Sequence, residues 1–494
     1  MEEIEAKTLS NKVLKALPAH HSYKSDKYFQ LFTETLLQES YTQYTEGSQL
    51  VNMLTSAYDY FTHGTVPKIR VLSKDAHSIL KNSTVIEAHA RDIKFLLDSI
   101  REFLNECRYK TKLIINPIFS VYRDKSGELL ELKLGTEGTQ RESFIHIEIE
   151  QAEEERLEEI RTNLQNILLD VQHSVEDFQY MTSVLKDLSH TFKHGHFPVA
   201  VDEDFSLYEA ITFLDWLNED NFVFLGYHCY EYDEKKKILS SVNGTGKGLM
   251  RAESSSSSYI PVSIDTSGKT KNRLFMSTPL LIDKTPHKST IHRRVPMDFI
   301  EVREFNEKGE PIKWHRFIGL FTRKALFEQA RHIPLLNSKL ENLLELKHVV
   351  TGSSMYREIL AVFNSLPKEV LFFSSIDELN SLIQLIIIAY REQAIRLFFR
   401  TSFTGGAISI VVAMPEKYFS SHNMQKISQY FKESLNTASI QYYQTRSHPG
   451  FWEIFYFLSF SDTSYVPTLS KGTLEQKVSE IVKEWRENLL DFIE

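Results

Sequence analysis

Cysteine is almost absent: Cys107 and Cys229 are the only two in 494 residues. Two thiols cannot build a disulfide framework, and by themselves they cannot close a structural zinc site, so a reducing compartment is expected. Long apolar runs are missing as well. The most apolar stretch, 382–389, contains Gln384 and falls far short of the roughly 20 residues that a membrane-spanning helix needs. There is no cationic surplus. Lys+Arg 57 against Asp+Glu 66 gives a net charge of −9, whereas non-specific nucleic-acid binding needs a dense basic face. The opening Met1-Glu2-Glu3-Ile4-Glu5 lacks the basic residues of a secretory leader. A cytoplasmic location is expected, with neither membrane nor nucleic acid as a partner.

What is present is ordinary. Apolar residues make up 42% and charged residues 25%, the balance of a folded globular chain rather than a disordered one. At about 150 residues per domain the length predicts roughly three domains. Residues 1–80 read as a helical segment, with Phe29, Phe32, Leu36 and Leu37 recurring at helical steps and Gly64 and Pro67 closing it. The block 81–176 follows the order β-α-β-β-β-α. Its strands are expected at 84–88, 113–122, 128–134 and 144–149. Its first helix has Asp92 at the N-cap position and the stripe Ile93, Leu96, Leu97, Ile100, Phe103 and Leu104. The 144–149 strand alternates apolar and polar residues, as a half-buried strand does. This order predicts a ferredoxin-like α+β sandwich with both helices on one face, the architecture of small ACT-type regulatory domains.

A helical linker is expected over 177–205 and a β-rich domain over 206–324, interrupted by a polar serine run at 254–258. Helix returns over 325–370. A second ferredoxin-like block spans 371–465. The last helix, 466–494, reaches Glu494 with no Gly, Asn or Pro stop. That ending fits a frayed natural terminus and a chain that continues equally well.

Signatures of chemistry are weak. Gly244-Thr245-Gly246-Lys247-Gly248 lacks the spacing of a P-loop and the third glycine of a dinucleotide fingerprint, so a flexible connection is the better reading. His190, His194 and His196 lie close together, but no Glu follows His190 as a metalloprotease helix requires. A polar helix end explains them more simply. Gly-x-Ser-x-Gly is absent. A site built from dispersed residues would be sought around Tyr227, His228, His292, Arg293 and Arg294.

Several stretches, taken in order, resemble one family. They are Asn116-Pro117-Ile118-Phe119-Ser120-Val121-Tyr122 with Arg123-Asp124 and Gly127; Phe222-Val223-Phe224-Leu225-Gly226-Tyr227; Gly246-Lys247-Gly248-Leu249-Met250-Arg251; Ile291-His292-Arg293-Arg294-Val295; Phe317-Ile318-Gly319-Leu320-Phe321-Thr322; and Val411-Val412-Ala413-Met414-Pro415 before Tyr418. Together they resemble the N-terminal half of the large bacterial NAD-specific glutamate dehydrogenases. Members of that family carry ACT-like and PAS-like domains and helical motifs ahead of a dehydrogenase core. The resemblance covers about 84–494. It departs at Met250, where a second Leu is usual, and at Phe403-Thr404-Gly405-Gly406, which replaces a Phe-Gly-Arg-Phe turn. It implies a regulatory, subunit-organising region without the catalytic lysine motif or the NAD-binding unit. No cofactor is then expected in this chain, NAD belonging to the full-length family. The implied partners are its own C-terminal core and further copies of itself. No catalytic residue carries over.

ACT-like folds bind small ligands, often amino acids, near the first strand-to-helix turn. Here Asp92 could hold an effector's amine and Arg91 its carboxylate. Equally, Asp92 could only cap the helix while Arg91 is solvated. Gly405 and Gly406 could let backbone approach a ligand, or form a plain hairpin turn. A purely structural oligomerisation scaffold is the alternative reading of the whole.

Overall fold

The computed structural model describes residues 2–19, 21–39, 47–73, 78–80, 82–133, 140–195, 206–233, 235, 238–252, 263–265, 278–402, 406–461 and 470–493. The chain divides into two compact units. One holds Met1–Glu176, Arg251–Ser257 and Ser289–Arg294; the other holds the rest.

Three helices open the first unit: α1 (Glu2–Ala16), α2 (Lys27–Glu39) and α3 (Gly47–Thr62). Then come β1 (Lys68–Leu72), β2 (Ser83–Arg91), α4 (Leu96–Glu106), β3 (Thr111–Ile115), β4 (Ile118–Arg123), β5 (Leu129–Lys133), β6 (Arg141–Glu150) and α5 (Leu157–Glu176). The antiparallel sheet runs β1-β2-β6-β4-β5, with β3 also on β6. The strand expected over 113–122 is split at Asn116-Pro117, because proline has no N–H to give a ladder. The split is held from β6: the Ser143 hydroxyl donates to Asn116 Oδ1 at 2.6 Å, and the Phe144 N–H to the Pro117 carbonyl at 3.1 Å.

Side chains of a strand alternate between faces. Phe144 joins Phe32, Phe61 and Phe119 in a core shared with α1–α3. Glu142, His146 and Glu148 lie on that same face. The opposite face, carrying Ile145, Ile147 and Ile149, is buried under α4 and α5. The half-buried strand expected over 144–149 is therefore corrected. Every residue of 142–149 is buried, because helices cover both faces.

The second unit opens with α6 (Phe178–His194) and α7 (Leu207–Trp216). Its first sheet contains β7 (Phe222–Asp233), β8 (Ile238–Ser241), β9 (Lys247–Gly248), β10 (Ser263–Asp265), β11 (Leu280–Lys288), β12 (Pro296–Phe305) and β13 (Pro311–Phe321). Their order is β10-β8-β7-β13-β12-β11, with β9 on β7. The helix expected over 325–370 is broken into α8 (Arg323–Phe327), α9 (Leu336–Leu346), α10 (Ser354–Ser365) and α11 (Lys368–Phe373). Next follow α12 (Ile376–Glu392), β14 (Arg396–Thr401), β15 (Ala407–Pro415), α13 (Ser421–Leu435), β16 (Ser439–Thr445), β17 (Phe451–Ser459) and α14 (Lys471–Ile493). This second sheet runs β14-β15-β17-β16. Its path repeats that of the first unit. In both sheets, a strand from earlier in the chain (β1 or β14) fills the edge beside the first strand of a strand–helix–strand–strand–helix run, into which the first unit inserts β4 and β5. The serine run at 254–258 lies outside the described residues.

Candidate functional site

The first strand-to-helix turn, 90–95, joins β2 to α4. Arg91 ends β2 and is exposed. Asp92 lies four residues ahead of α4, so its expected N-cap role is corrected. The cap position belongs to Phe95, in the left-handed region at φ 70, with no side-chain capping bond. Asp92 is held instead by Arg141, 2.7 Å away, and its N–H donates to the Arg141 carbonyl. The start of α4 is closed by the segment Ser289–Arg294 of the same unit. The His292 N–H donates to Ser99 Oγ at 2.9 Å, and the His292 ring lies 5.0 Å from that of Phe95.

In the second unit Gly405 lies outside the described residues. Gly406 sits at φ 63 in the β14–β15 hairpin, where its carbonyl accepts from the Phe460 N–H. The turn equivalent to 90–95 is elsewhere, at 415–420 between β15 and α13. Ser420 caps α13 by accepting from the Asn423 N–H at 3.1 Å. Asn423 Nδ2 donates to the Tyr418 carbonyl, while its Oδ1 is buried without a partner among the described residues. Phe419 stacks on Trp452 at 4.3 Å, and Arg446 lies over the same indole and pairs with Glu416. The sequence reading missed this turn, although Met414-Pro415 before Tyr418 was its visible signal.

A larger polar assembly is hidden beneath α3. Arg123 spends all its donors there. Its Nε and Nη2 reach Glu142 at 2.9–3.0 Å, and its Nη groups reach the carbonyls of Phe61, Thr62 and Gly127. It thereby caps the C-terminus of α3 with a cation. Glu142 also meets His89 at 2.7 Å. Beside this, His146 lies between Glu87 at 3.0 Å and Glu148 at 3.4 Å, and Arg70 reaches Glu87. Burial pushes His146 down, but its two carboxylates outweigh that and carry it up to about 9. Burial takes His89 down to about 4 against the pull of Glu142. Three carboxylates thus face Arg70, Arg123 and a protonated His146, with His89 neutral. A charge-balanced network of this kind holds elements together, although His89 Nδ1 is buried without a partner among the described residues. It also accounts for the Arg123-Asp124…Gly127 motif. Asp124 Oδ1 accepts from the Ser126 and Glu128 N–H groups to form the turn, and a Cβ on Gly127 would lie 2.7 Å from the Gly64 backbone.

In the second unit, Lys284 of β11 donates to Asp298 of β12 at 3.0 Å and to Glu369 of α11 at 2.6 Å. Arg400 of β14 reaches Asp283 and Glu378, and the Ser402 hydroxyl donates to Asp283 at 2.9 Å. The dispersed residues divide between the two units, with Tyr227 and His228 in the second. Tyr227 bonds His315 at 2.8 Å, which meets Glu304 at 2.6 Å, but the phenol is buried and burial raises its pKa. His228 meets Thr245 at 3.1 Å, and His292, Arg293 and Arg294 belong to the first unit. The glycine cluster is packed rather than flexible. The Gly248 N–H donates to Asp177 and the Leu249 N–H to the Leu225 carbonyl, so these donors are spent within the protein. Among the described residues no three metal-ligating side chains converge.

Three family models of glutamate dehydrogenase match the chain in order: the ACT1 domain over 29–164, helical motif 1 over 333–391, and the ACT2 domain over 396–486. The chain belongs to the large NAD-specific glutamate dehydrogenase family. The NAD-specific glutamate dehydrogenase of Halomonas elongata is 28% identical over 435 residues, covering 86% of this chain and 27% of that protein. That of Pseudomonas aeruginosa is 26% identical over 441 residues, covering 85% and 26%. The chain therefore spans about a quarter of the length of these relatives. The ACT1 match includes α2 and α3 as well as the sheet, and so the whole Arg123 network. Helical motif 1 corresponds to α9–α12. The ACT2 match takes in β14–β17 with the 415–420 turn. The seven-stranded sheet lies between the matched stretches.

Proposed function

We propose that the chain is the regulatory and subunit-organising region of an NAD-dependent glutamate dehydrogenase, and that an amino-acid effector acts through its ACT domains. The observation that carries this reading is the succession of ACT1, helical motif 1 and ACT2. NAD and the oxidation of glutamate to 2-oxoglutarate belong to the rest of the enzyme. The strand order β8-β7-β13-β12-β11, which is 2-1-5-4-3 in local numbering, supports a PAS-like middle domain. Two free cysteines support a cytoplasmic setting, and no helix among the described residues is long and apolar enough to cross a membrane.

At the ACT1 turn Arg91 has no ion-pair partner among the described residues and is open to an effector's carboxylate. Asp92 would share the effector's ammonium with Arg141. In ACT2 the backbone at Gly406, next to Gly405 in the sequence, would approach a ligand. Calorimetric titration with the common amino acids at millimolar levels tests this. Heat that Arg91→Ala abolishes supports it; no heat from any of them sinks the effector part. NADH production from glutamate by this chain alone would overturn the regulatory reading.

A structural scaffold is the second reading, favoured by β16. Among the described residues this edge strand pairs only with β17, in unbroken register over seven residues. It carries no charge, proline or bulge of the kind that blunts natural edges. A scaffold self-associates without ligand, so a monomeric mass in solution would count against it.

A further inference from the structure

The two ACT sheets share a path, and each leaves a groove at the same place. The groove lies between the last turns of the first helix and the strand that follows. In ACT1 it measures about 450 Å³ and lies between the end of α4 and β3. In ACT2 it measures about 600 Å³ and lies between the end of α13 and β16. Their linings differ in charge. The ACT2 groove sets Glu433 beside Lys432, so its charges cancel. The ACT1 groove holds Arg101, Lys110 and Lys112 with Asn105, Tyr109 and Thr111, and no acidic residue among the described residues lines it.

These three cations make the groove locally basic in a chain of net charge −9. Lys112 is engaged: its Nζ donates to the Asn82 carbonyl and to Ser83 Oγ. Arg101 and Lys110 are exposed, and neither side chain has a partner among the described residues. The end of α4 does not oppose an anion strongly, because its last carbonyls are occupied. The N–H groups of Cys107, Arg108 and Tyr109 donate to Phe103, Asn105 and Leu104. A guanidinium presents a planar fork to carboxylate or phosphate oxygens, and an ammonium adds a point charge. The Tyr109 and Thr111 hydroxyls supply neutral donors in the same groove.

We propose that this groove binds a small doubly charged oxyanion, a dicarboxylate or a phosphate, through Arg101 and Lys110. The site is separate from the effector turn. Arg91 precedes α4, whereas the groove lies at its far end, and the eleven residues of α4 span about 16 Å. The test uses the full chain, with succinate and inorganic phosphate as calorimetric probes at low and physiological salt. Saturable binding of at least one probe is expected. It should weaken about tenfold or more in Arg101→Ala/Lys110→Ala, persist in Arg101→Lys/Lys110→Arg, and be unchanged in Lys432→Ala. Succinate alone would identify a dicarboxylate site, and phosphate alone a phosphoryl site. Both side chains are exposed, so the double variant should melt with the parent. No saturable binding of either probe, or an affinity indifferent to the double substitution, overturns the proposal. Arg91→Ala should leave this binding intact, so its failure and that of the effector reading are told apart.

Discussion

At the scale of single residues, two buried groups make demands on pH of the same sign in different windows. Glu453 of β17 is fully buried and meets no cation among the described residues; it accepts from the Ser447 N–H at 3.0 Å and from the Ser447 and Thr445 hydroxyls. Burial pushes it up to about 7, whereas an unfolded glutamate titrates near ~4.3. The folded state therefore binds the extra proton between those values. The stability this gives is present below about 4.3 and lost as pH rises to about 7, on the order of 4 kcal/mol. Glu453→Gln should flatten that slope and raise the melting temperature at pH 8. A lower melting temperature there would mean that the carboxylate is ionised and well paired. His146, carried up to about 9, works over a different window. Its contribution is complete below about 6.5, the unfolded value, and is lost as pH rises to about 9. Melting curves of His146→Gln between pH 6.5 and 9 should lack the decline seen in the parent. Gly248 is constrained by geometry alone. It sits at φ 58, and a Cβ would lie 2.1 Å from the Leu225 carbonyl. Gly248→Ala should destabilise the chain by more than about 1 kcal/mol in denaturant titration.

Elements were more legible than their surroundings. The second ACT sheet reads straight from sequence because its apolar runs and turns are local. β6 was also legible as a strand, but its polar residues looked solvated. Their cover comes from α2 and α3, about a hundred residues earlier in the chain, and periodicity within one strand carries no trace of it. β1 escaped because Lys68 and Arg70 dilute a five-residue run; the partner of Arg70, Glu87, lies on the next strand. The candidate site shows the same limit. The turn expected at 90–92 lies three residues further on, because β2 runs to Arg91 and α4 begins at Leu96, and the Arg141 that holds Asp92 left no trace in the local sequence. In ACT2 the two glycines drew attention to a hairpin, while the equivalent turn carries Tyr418 and Phe419. Helix ends are read more easily. Ser375 accepts from the Glu378 N–H and the Glu378 carboxylate from the Ser375 N–H, the reciprocal cap that Ser-x-x-Glu predicts. Ser375→Ala should cost about 1 kcal/mol in chemical denaturation, without altering any ligand response.

At the scale of the molecule, the first unit is an ACT sandwich with an added layer, and the ionic network is what fastens that layer. Phe29, Phe32 and Phe61 fill the sheet face that carries Phe119 and Phe144, while Arg123 bonds the last carbonyls of α3. A chain lacking α1–α3 would leave this apolar face and the charges of Glu142 and Glu148 facing water. It should aggregate or lose its cooperative melt, whereas an independent helical arm could be removed without that penalty. Whether the network stabilises or only specifies the arrangement is separable by a double-mutant cycle. Arg123→Leu alone strands the buried Glu142 carboxylate with His89, and should cost about 3–5 kcal/mol. Arg123→Leu with Glu142→Leu removes both charges, and by the same reasoning should recover most of that loss. Recovery of stability with a broadened melt would mean that the charges fix which way α3 docks. Recovery with a sharp melt would mean that the apolar face alone fixes it, and that the ions follow a position already set by Phe32 and Phe61.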